Sequence, residues 1–188
     1  MPRLVLGSAS PRRKELMKQV GFTFEVRPSL YDEVIPEDTH PEDVVQYLAE
    51  QKNQAIPSST NEVVVTADTV VCQGGQVLGK PKSYKDAYSM LKQLSGKRHS
   101  VYTGVSIRDF NHWVSFAVCT NVYLLSLSQA KMEWYLGKEE SWDKAGSYGI
   151  QGAGALLVEK IEGDYNNVVG LPMSRLAREL DTFMIKPG

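Results

Sequence analysis

The chain is short of several things, and each shortage excludes a class of function. Cysteine is scarce: Cys72 and Cys119 lie far apart inside apolar runs, with no C-x-x-C spacing. That pattern points away from a disulfide scaffold and from a cysteine zinc site, and reads as two buried reduced thiols. Histidine is as sparse, and His40, His99 and His112 all sit in polar or turn contexts where surface placement is the default. Neither H-E-x-x-H nor G-x-S-x-G occurs, so zinc-peptidase and serine-hydrolase readings have no support. Charge of one sign is also missing: 21 Lys+Arg face 22 Asp+Glu, a formal net charge of −1. A general nucleic-acid or membrane-surface binder would carry a broad basic excess. No apolar run approaches transmembrane length, and the first residues lack the stretch of a signal peptide. The expectation is a soluble cytoplasmic protein with neither nucleic acid nor membrane among its partners. With no repeat, low-complexity tract or long linker, a single domain over residues 1–188 is expected.

What is present is concentrated in Leu4-Val5-Leu6-Gly7-Ser8-Ala9-Ser10-Pro11-Arg12-Arg13-Lys14-Glu15-Leu16. A short apolar strand passes through a small-residue turn into a helix. Ser10 is a good N-cap and Pro11 suits the first helical position, while Gly21 stops the helix. Leu16, Met17 and Val20 form its apolar stripe. The oddity is Arg12, Arg13 and Lys14 in the first turn, where the helix dipole already presents positive charge, at a cost of a few tenths to about 1 kcal/mol each. Either these cations are a solvated surface turn or they await an anion, and the strand–serine turn–helix setting is the usual geometry for phosphate. No P-loop or G-x-G-x-x-G fingerprint is present.

Further along, Phe22, Phe24 and Val26 alternate like a half-buried strand ending at Pro28, and a polar loop then carries Asp32 and Glu33. Thr39 with Glu42 forms a capping box for a helix whose inward face is Val44, Val45, Leu48 and Ala55. Lys52 projects from that same face, so it either snorkels to the edge or meets an acid or phosphate. Glu62 to Cys72 is almost continuously apolar, as in a strand buried on both faces. Asp68 interrupts it. A buried carboxylate needs a cation, metal or donors, and it is either a bulge cap, the partner of a buried lysine, or a site residue. Gln73-Gly74-Gly75-Gln76 turns the chain back, so that Lys80 would return toward the strand of Asp68. A helix from Ser83 to Ser95, strands near Val101–Ile107 and Trp113–Leu124, a short helix after Ser128 and a glycine-punctuated loop from Asp143 to Gly152 follow. Ala155–Ile161 and Tyr165–Val169 read as a hairpin, and Met173–Leu180 as the last helix. The alternation of strands and helices, closing with hairpins, gives an α/β fold with a mixed sheet.

Separated cations and carboxylates suit phosphoryl or nucleotidyl chemistry assisted by a divalent metal: carboxylates hold the ion and accept a proton from water, while lysine and arginine offset charge on phosphate oxygens. The residues alone stop at a phosphate-ester or phosphoanhydride hydrolase.

Ser8-Ala9-Ser10-Pro11-Arg12-Arg13 followed by Glu15-Leu16 resembles the opening signature of the Maf family, the Maf/HAM1-like nucleoside triphosphate pyrophosphatases once named for septum-formation inhibition. The resemblance continues in order through Glu33, Leu48-Ala49-x-x-Lys52, Ala67-Asp68-Thr69, Gly79-Lys80-Pro81, Leu94-Ser95-Gly96, Asp143-Lys144-Ala145-Gly146, Tyr148-Gly149-Ile150-Gln151-Gly152 and Gly163-Asp164-Tyr165 to Gly170-Leu171-Pro172. Asn53 replaces the family's usual alanine at what reads as a peripheral position. The resemblance implies an elongated mixed sheet flanked by helices, with two lobes and a central cleft, commonly dimeric. It implies hydrolysis of a nucleoside triphosphate to monophosphate and pyrophosphate with a divalent cation, Mg²⁺ or Mn²⁺. Asp68 matches the proton acceptor, Arg12, Thr69 and Gln151 the specificity positions, and Ser8 and Arg13 belong to the matched opening turn. Glu33, Lys52 and Lys80 match pocket residues of the family, the lysines facing the triphosphate; the resemblance implies Asp68, Glu33 and Lys52 as the catalytic set and Asp68 with Glu33 as metal ligands. Arg12-Thr69-Gln151 is similar to the dTTP/UTP branch rather than to the 7-methyl-GTP branch, and a glutamine amide can donate to and accept from a pyrimidine edge. The alternatives are a non-catalytic nucleotide-binding regulator of septum formation, from another class, and the 7-methyl-GTP pyrophosphatase, which differs at the three specificity positions.

Overall fold

A computed structural model describes residues 2–31, 34 and 39–188. In chain order the elements are β1 (Arg3–Leu6), α1 (Pro11–Gln19), β2 (Glu25–Val26), α2 (Pro41–Gln54), β3 (Glu62–Gln73), β4 (Gln76–Leu78), α3 (Tyr84–Leu94), β5 (Arg98–Arg108), β6 (Trp113–Leu124), α4 (Gln129–Leu136), β7 (Val158–Glu162), α5 (Tyr165–Val169) and α6 (Met173–Thr182). Single 3₁₀ turns cover Ala145–Ser147 and Gly152–Leu156. Among the described residues the strands form one seven-stranded mixed sheet in the order β2-β1-β3-β5-β6-β7, with β4 paired to β3. β1 runs parallel to β2 and β3, with Val5 opposite Val64, whereas β3–β4 and β6–β7 are antiparallel. The α/β mixed sheet read from the alternation of elements is the architecture found.

Two compact units divide the chain. The first holds residues 1–68, 103–118 and 170–188, the second 69–102 and 119–169. In the first unit Val63, Val64 and Val65 are fully buried, as expected of a strand covered on both faces, and Val5, Ile56 and Val64 pack together. Backbones come close here. A Cβ on Gly7 would lie 2.3 Å from Ile56 Cδ1 and 2.5 Å from Thr66 Cγ2, and one on Gly104 would lie 2.2 Å from the carbonyl oxygen of Val45. Glycine at these points lets β1 and β5 approach their neighbours without a side chain between. The second unit has its own core of Val71, Leu78, Leu91, Leu94, Val122, Leu124, Tyr135 and Leu157.

The structure departs from the sequence reading in local but instructive ways. Of the alternating segment only Glu25 and Val26 form a strand; it is at the sheet edge, and Val26 is 38% exposed. α2 starts at Pro41 and is capped by His40, whose Nδ1 accepts from the Glu42 amide at 3.3 Å, so Thr39 stays outside. Val20 falls just past α1 and is exposed. Tyr165–Val169 is a helix, not the second arm of a hairpin. The Asp164 carboxylate accepts from the amides of Asn166 and Asn167 at 2.8 and 3.3 Å, and the ladder partner of β7 is β6. The cysteines are not sealed in: Cys72 is half-buried and Cys119 exposed. His99, expected at the surface, is 2% exposed, because the alternation of β5 turns it inward with Val101 and Val105. Asn53, read as peripheral, is completely buried.

Candidate active site

The turn after β1 is built by its serines. Ser10 caps α1, its Oγ accepting from the Arg13 amide at 3.5 Å, and Ser8 Oγ accepts from the Ser10 amide at 3.2 Å. Ser8 is buried, whereas Arg12 and Arg13 are half-buried at the start of the helix. The Arg13 guanidinium donates through Nη1 to Ser8 Oγ at 3.3 Å and to the Ala67 carbonyl at 2.9 Å. Through Nε it donates to the Gly170 carbonyl at 2.7 Å. Arginine is suited to this, since its rigid fork meets several acceptors at once. The basic turn is thereby fastened to the residue preceding Asp68.

α2 supplies the second part. Thr66 Oγ1 donates to the Ala49 carbonyl at 2.6 Å, and Asn53 Nδ2 donates to the carbonyls of Val64 and Ser106 at 3.0 Å each. Arg108 closes the helix end, donating to Asn53 Oδ1 at 2.9 Å and to the carbonyls of Asn53 and Ile56 at 3.1 and 3.0 Å. With α2 held in this way, Lys52 reaches Asp68, with Nζ 2.5 Å from Oδ1 and side chains only 13% and 10% exposed. Of the two sequence alternatives for Lys52, meeting an acid is the one realised. The pairing offsets the desolvation that an isolated carboxylate in this strand would suffer.

Ser8, Arg13, Lys52 and Asp68 are thus brought together in the first unit, with Arg12 on the adjoining first turn of α1. Thr69, Lys80 and Gln151 belong to the second unit. Thr69 follows Asp68 in β3 and is half-buried; Lys80 is exposed just past β4; Gln151 is exposed at the start of the second 3₁₀ turn. The Gly146 amide donates to the Gly79 carbonyl at 3.0 Å, which joins the Lys80 turn to the loop leading to Gln151. Glu33, and Asp32 beside it, lie outside the described residues. Among the described residues no group of three or more His, Cys, Asp or Glu forms a ready-made metal cage, and no helix is long and apolar enough to cross a membrane.

Reading residues by type missed Asn53 and His99. A signal existed for both: Asn53 continues the Val45–Ala49 stripe at a spacing of four, and His99 is in phase with Val101. A polar group in either place must find buried partners. Glu140, whose carboxylate accepts from the Ala153 amide at 3.1 Å just beyond Gln151, has no mark in the sequence pattern.

The class these features define is an α/β protein with a buried acid–lysine pair next to an arginine-braced basic helix start. Comparison with known proteins gives the class a family. The model of the Maf-like protein family matches residues 3–183. The dTTP/UTP pyrophosphatase of Bacillus pumilus (strain SAFR-032) is 47% identical over 188 residues, covering 100% of both chains. That of Bacillus cereus (strain ZK / E33L) is 45% identical over 186 residues, covering 98% of this chain and 97% of its own. This chain belongs to the Maf family. Among solved structures, the Staphylococcus aureus Ham1 protein superposes with a TM-score of 0.47 at 15% identity over 98% of this chain and 91% of its own. The Mycobacterium abscessus nucleoside-triphosphatase / dITP/XTP pyrophosphatase does so with 0.43 at 10% identity, over 97% and 98% respectively.

Proposed function

We propose that this protein hydrolyses dTTP and UTP to the nucleoside monophosphate and pyrophosphate. Relatives of that name align along the full length of the chain at 45–47% identity. The observation that carries the chemistry is the buried Lys52–Asp68 pair, 2.5 Å apart and one residue from the Ala67 carbonyl that Arg13 holds.

In this reading Asp68 accepts the proton of the attacking water. Lys52 stands against its Oδ1 and fixes the carboxylate in place, and a fixed base of this kind typically contributes about 10²–10⁴ in rate. Lys52 also brings positive charge to the phosphoryl oxygens. Ser8, Arg12 and Arg13 present donors and charge at the helix start, where an anion is favoured by the free amides and the dipole. Arg12, Thr69 and Gln151 select the base, the glutamine amide both donating to and accepting from the pyrimidine edge. Lys80 serves the triphosphate.

A divalent cation, Mg²⁺ or Mn²⁺, belongs to the same proposal. The donor chemistry fits: Asp68 is a hard oxygen donor, and Mg²⁺ is ordinarily held by one or two carboxylates together with substrate phosphates rather than by an all-protein cage. Asp68, with Glu33, would hold it. When bound, the ion neutralises charge on the phosphate oxygens. The protein is proposed to work in the cytoplasm as a homodimer.

The test is a substrate panel of dTTP, UTP, CTP, GTP and 7-methyl-GTP with Mg²⁺ or Mn²⁺, read by pyrophosphate release. dTTP and UTP should lead. Equal inactivity on all five defeats the proposal, and triphosphate binding without pyrophosphate release would favour a non-catalytic regulator instead.

A further inference from the structure

The loop that carries Gln151 is held from beneath at both ends. On its near side Tyr148 is buried, with its hydroxyl 2.6 Å from His99 Nε2 and the two rings edge-to-face at 5.3 Å. The next amide, that of Gly149, donates to the Tyr135 hydroxyl at 3.0 Å. Gly154 lies so tightly on this point that a Cβ there would be 1.7 Å from the Gly149 carbonyl oxygen. On the far side Glu140 accepts from the Ala153 amide at 3.1 Å, and both its carboxylate oxygens lie 3.0 Å from where a Gly152 Cβ would be.

The backbone takes left-handed conformations just before the first anchor and again at Gly152, beside the second. Gly146 and Gly152 have φ of 70° and 60°, and buried Ser147, a non-glycine, has φ of 66°. A serine there costs about 1 kcal/mol or more and persists only where the surroundings over-determine it. Gln151 sits three residues after Tyr148 and two before Ala153, with its own side chain exposed. A loop made only to connect α4 with β7 has no need of a buried buttress at His99–Tyr148 and a half-buried one at Glu140 around one exposed amide. An amide that must distinguish donor from acceptor on a base edge does need them, because such discrimination fails when the reading group shifts by a fraction of an ångström.

We propose that His99 and Glu140 are positioning residues for Gln151, fixing the loop from its two sides so that the amide selects the pyrimidine edge. This rests on the assignment of Gln151 to base selection under the activity proposed above. Both residues hold backbone or a buried ring of the loop and are assigned no part in the chemical step, so their loss should weaken nucleotide selection while leaving that step in place.

The experiment compares UTP with CTP, which differ at the edge that an amide reads, in the wild type, Glu140→Ala, Glu140→Gln and His99→Phe, with folding checked by circular dichroism. Glu140→Ala should raise KM for UTP by about five- to tenfold, the worth of one positioning hydrogen bond, with kcat within about twofold. The UTP-over-CTP preference should fall by a similar factor. Glu140→Gln keeps an acceptor oxygen for the Ala153 amide and should restore both values, and folded His99→Phe should shift them as Glu140→Ala does. Should His99→Phe not fold, the Glu140 pair decides alone. A wild type inactive on both nucleotides overturns this inference together with the activity. An active wild type whose Glu140→Ala variant keeps KM and the UTP-over-CTP ratio overturns this inference alone, even if that variant is less stable.

Discussion

At the scale of single residues the decisive contact is between Lys52 and Asp68. Both groups are nearly removed from water, so each makes the other tolerable, and neither can be deleted without leaving an uncompensated charge. Two substitutions separate what the pair does for chemistry from what it does for the fold. Asp68→Asn keeps an oxygen opposite the lysine but cannot accept a proton and leaves the ammonium without its counter-charge, so pyrophosphate release should fall by about two to four orders of magnitude in protein that circular dichroism shows to be folded, at a stability cost of the same order as that of Lys52→Met. A rate within a few fold of wild type would remove Asp68 from the mechanism. Lys52→Met keeps the length of the side chain and strands the carboxylate. It should cost about 3 kcal/mol in urea unfolding, and an unchanged midpoint would mean that Asp68 is sufficiently held by its other neighbours. The sequence carried most of this: a lysine on an apolar helix face and an aspartate in a valine run are each anomalous alone. It did not carry the bonding of Arg13, whose acceptors at Ser8, Ala67 and Gly170 are 5, 54 and 157 residues away. Long-range backbone acceptors leave no mark in a motif.

At the scale of elements, α2 is the positioning device. Thr66, Asn53 and Arg108 fix it by side chain to backbone bonds, and Trp113 extends the network by donating from Nε1 to Ser106 Oγ at 2.8 Å. Asn53 matters most because its amide satisfies the carbonyls of Val64 on β3 and Ser106 on β5 together, while its oxygen receives Arg108. Asn53→Ala should therefore destabilise the protein by about 2–3 kcal/mol, well beyond a surface substitution, because buried polar groups lose their partners without replacement. Urea denaturation checks this; a loss of less than about 0.5 kcal/mol would show that the carbonyls and Arg108 find other partners. Local signals foretold the elements unevenly. Ser10 and Pro11 located α1, and Ser83 with Asp86 located α3, since caps are written in adjacent residues. Tyr165–Val169 escaped because its β-branched and aromatic residues favour a strand. What decides the issue is the Asp164 cap, together with Asn167, whose Nδ2 donates to the Val101 carbonyl and Thr120 Oγ1.

At the scale of the whole molecule, the mixed α/β class followed from the alternation of patterns, but the sheet order did not. Pairing β1 with β3 depends on packing between segments some sixty residues apart, which no local pattern encodes. One group in each unit writes an acid limit into the fold, Glu62 through its hydrogen bonds and His99 through its burial. In the first, Glu62 accepts from Arg27, Arg3 and the Ser59 amide, and the Arg27 hydrogen bonds lead in holding its carboxyl down at about 2, against an ordinary 4.5. In the second, burial holds His99 neutral down to about pH 4, against an ordinary 6.5. Both shifts are downward, so in each interval the unfolded chain binds the proton first and acid favours unfolding. The His99 contribution is complete above pH 6.5 and is lost as the pH falls toward 4, to a total of about 3 kcal/mol. That of Glu62 is complete above pH 4.5 and fades toward 2. Urea midpoints measured from pH 7 to 4.5 should thus decline in the wild type before most carboxylates titrate, and folded His99→Gln, which has no proton to take up, should flatten that decline. Equal slopes in the two proteins would mean that His99 accepts its proton in the folded state and that its pairing with Tyr148 survives the charge.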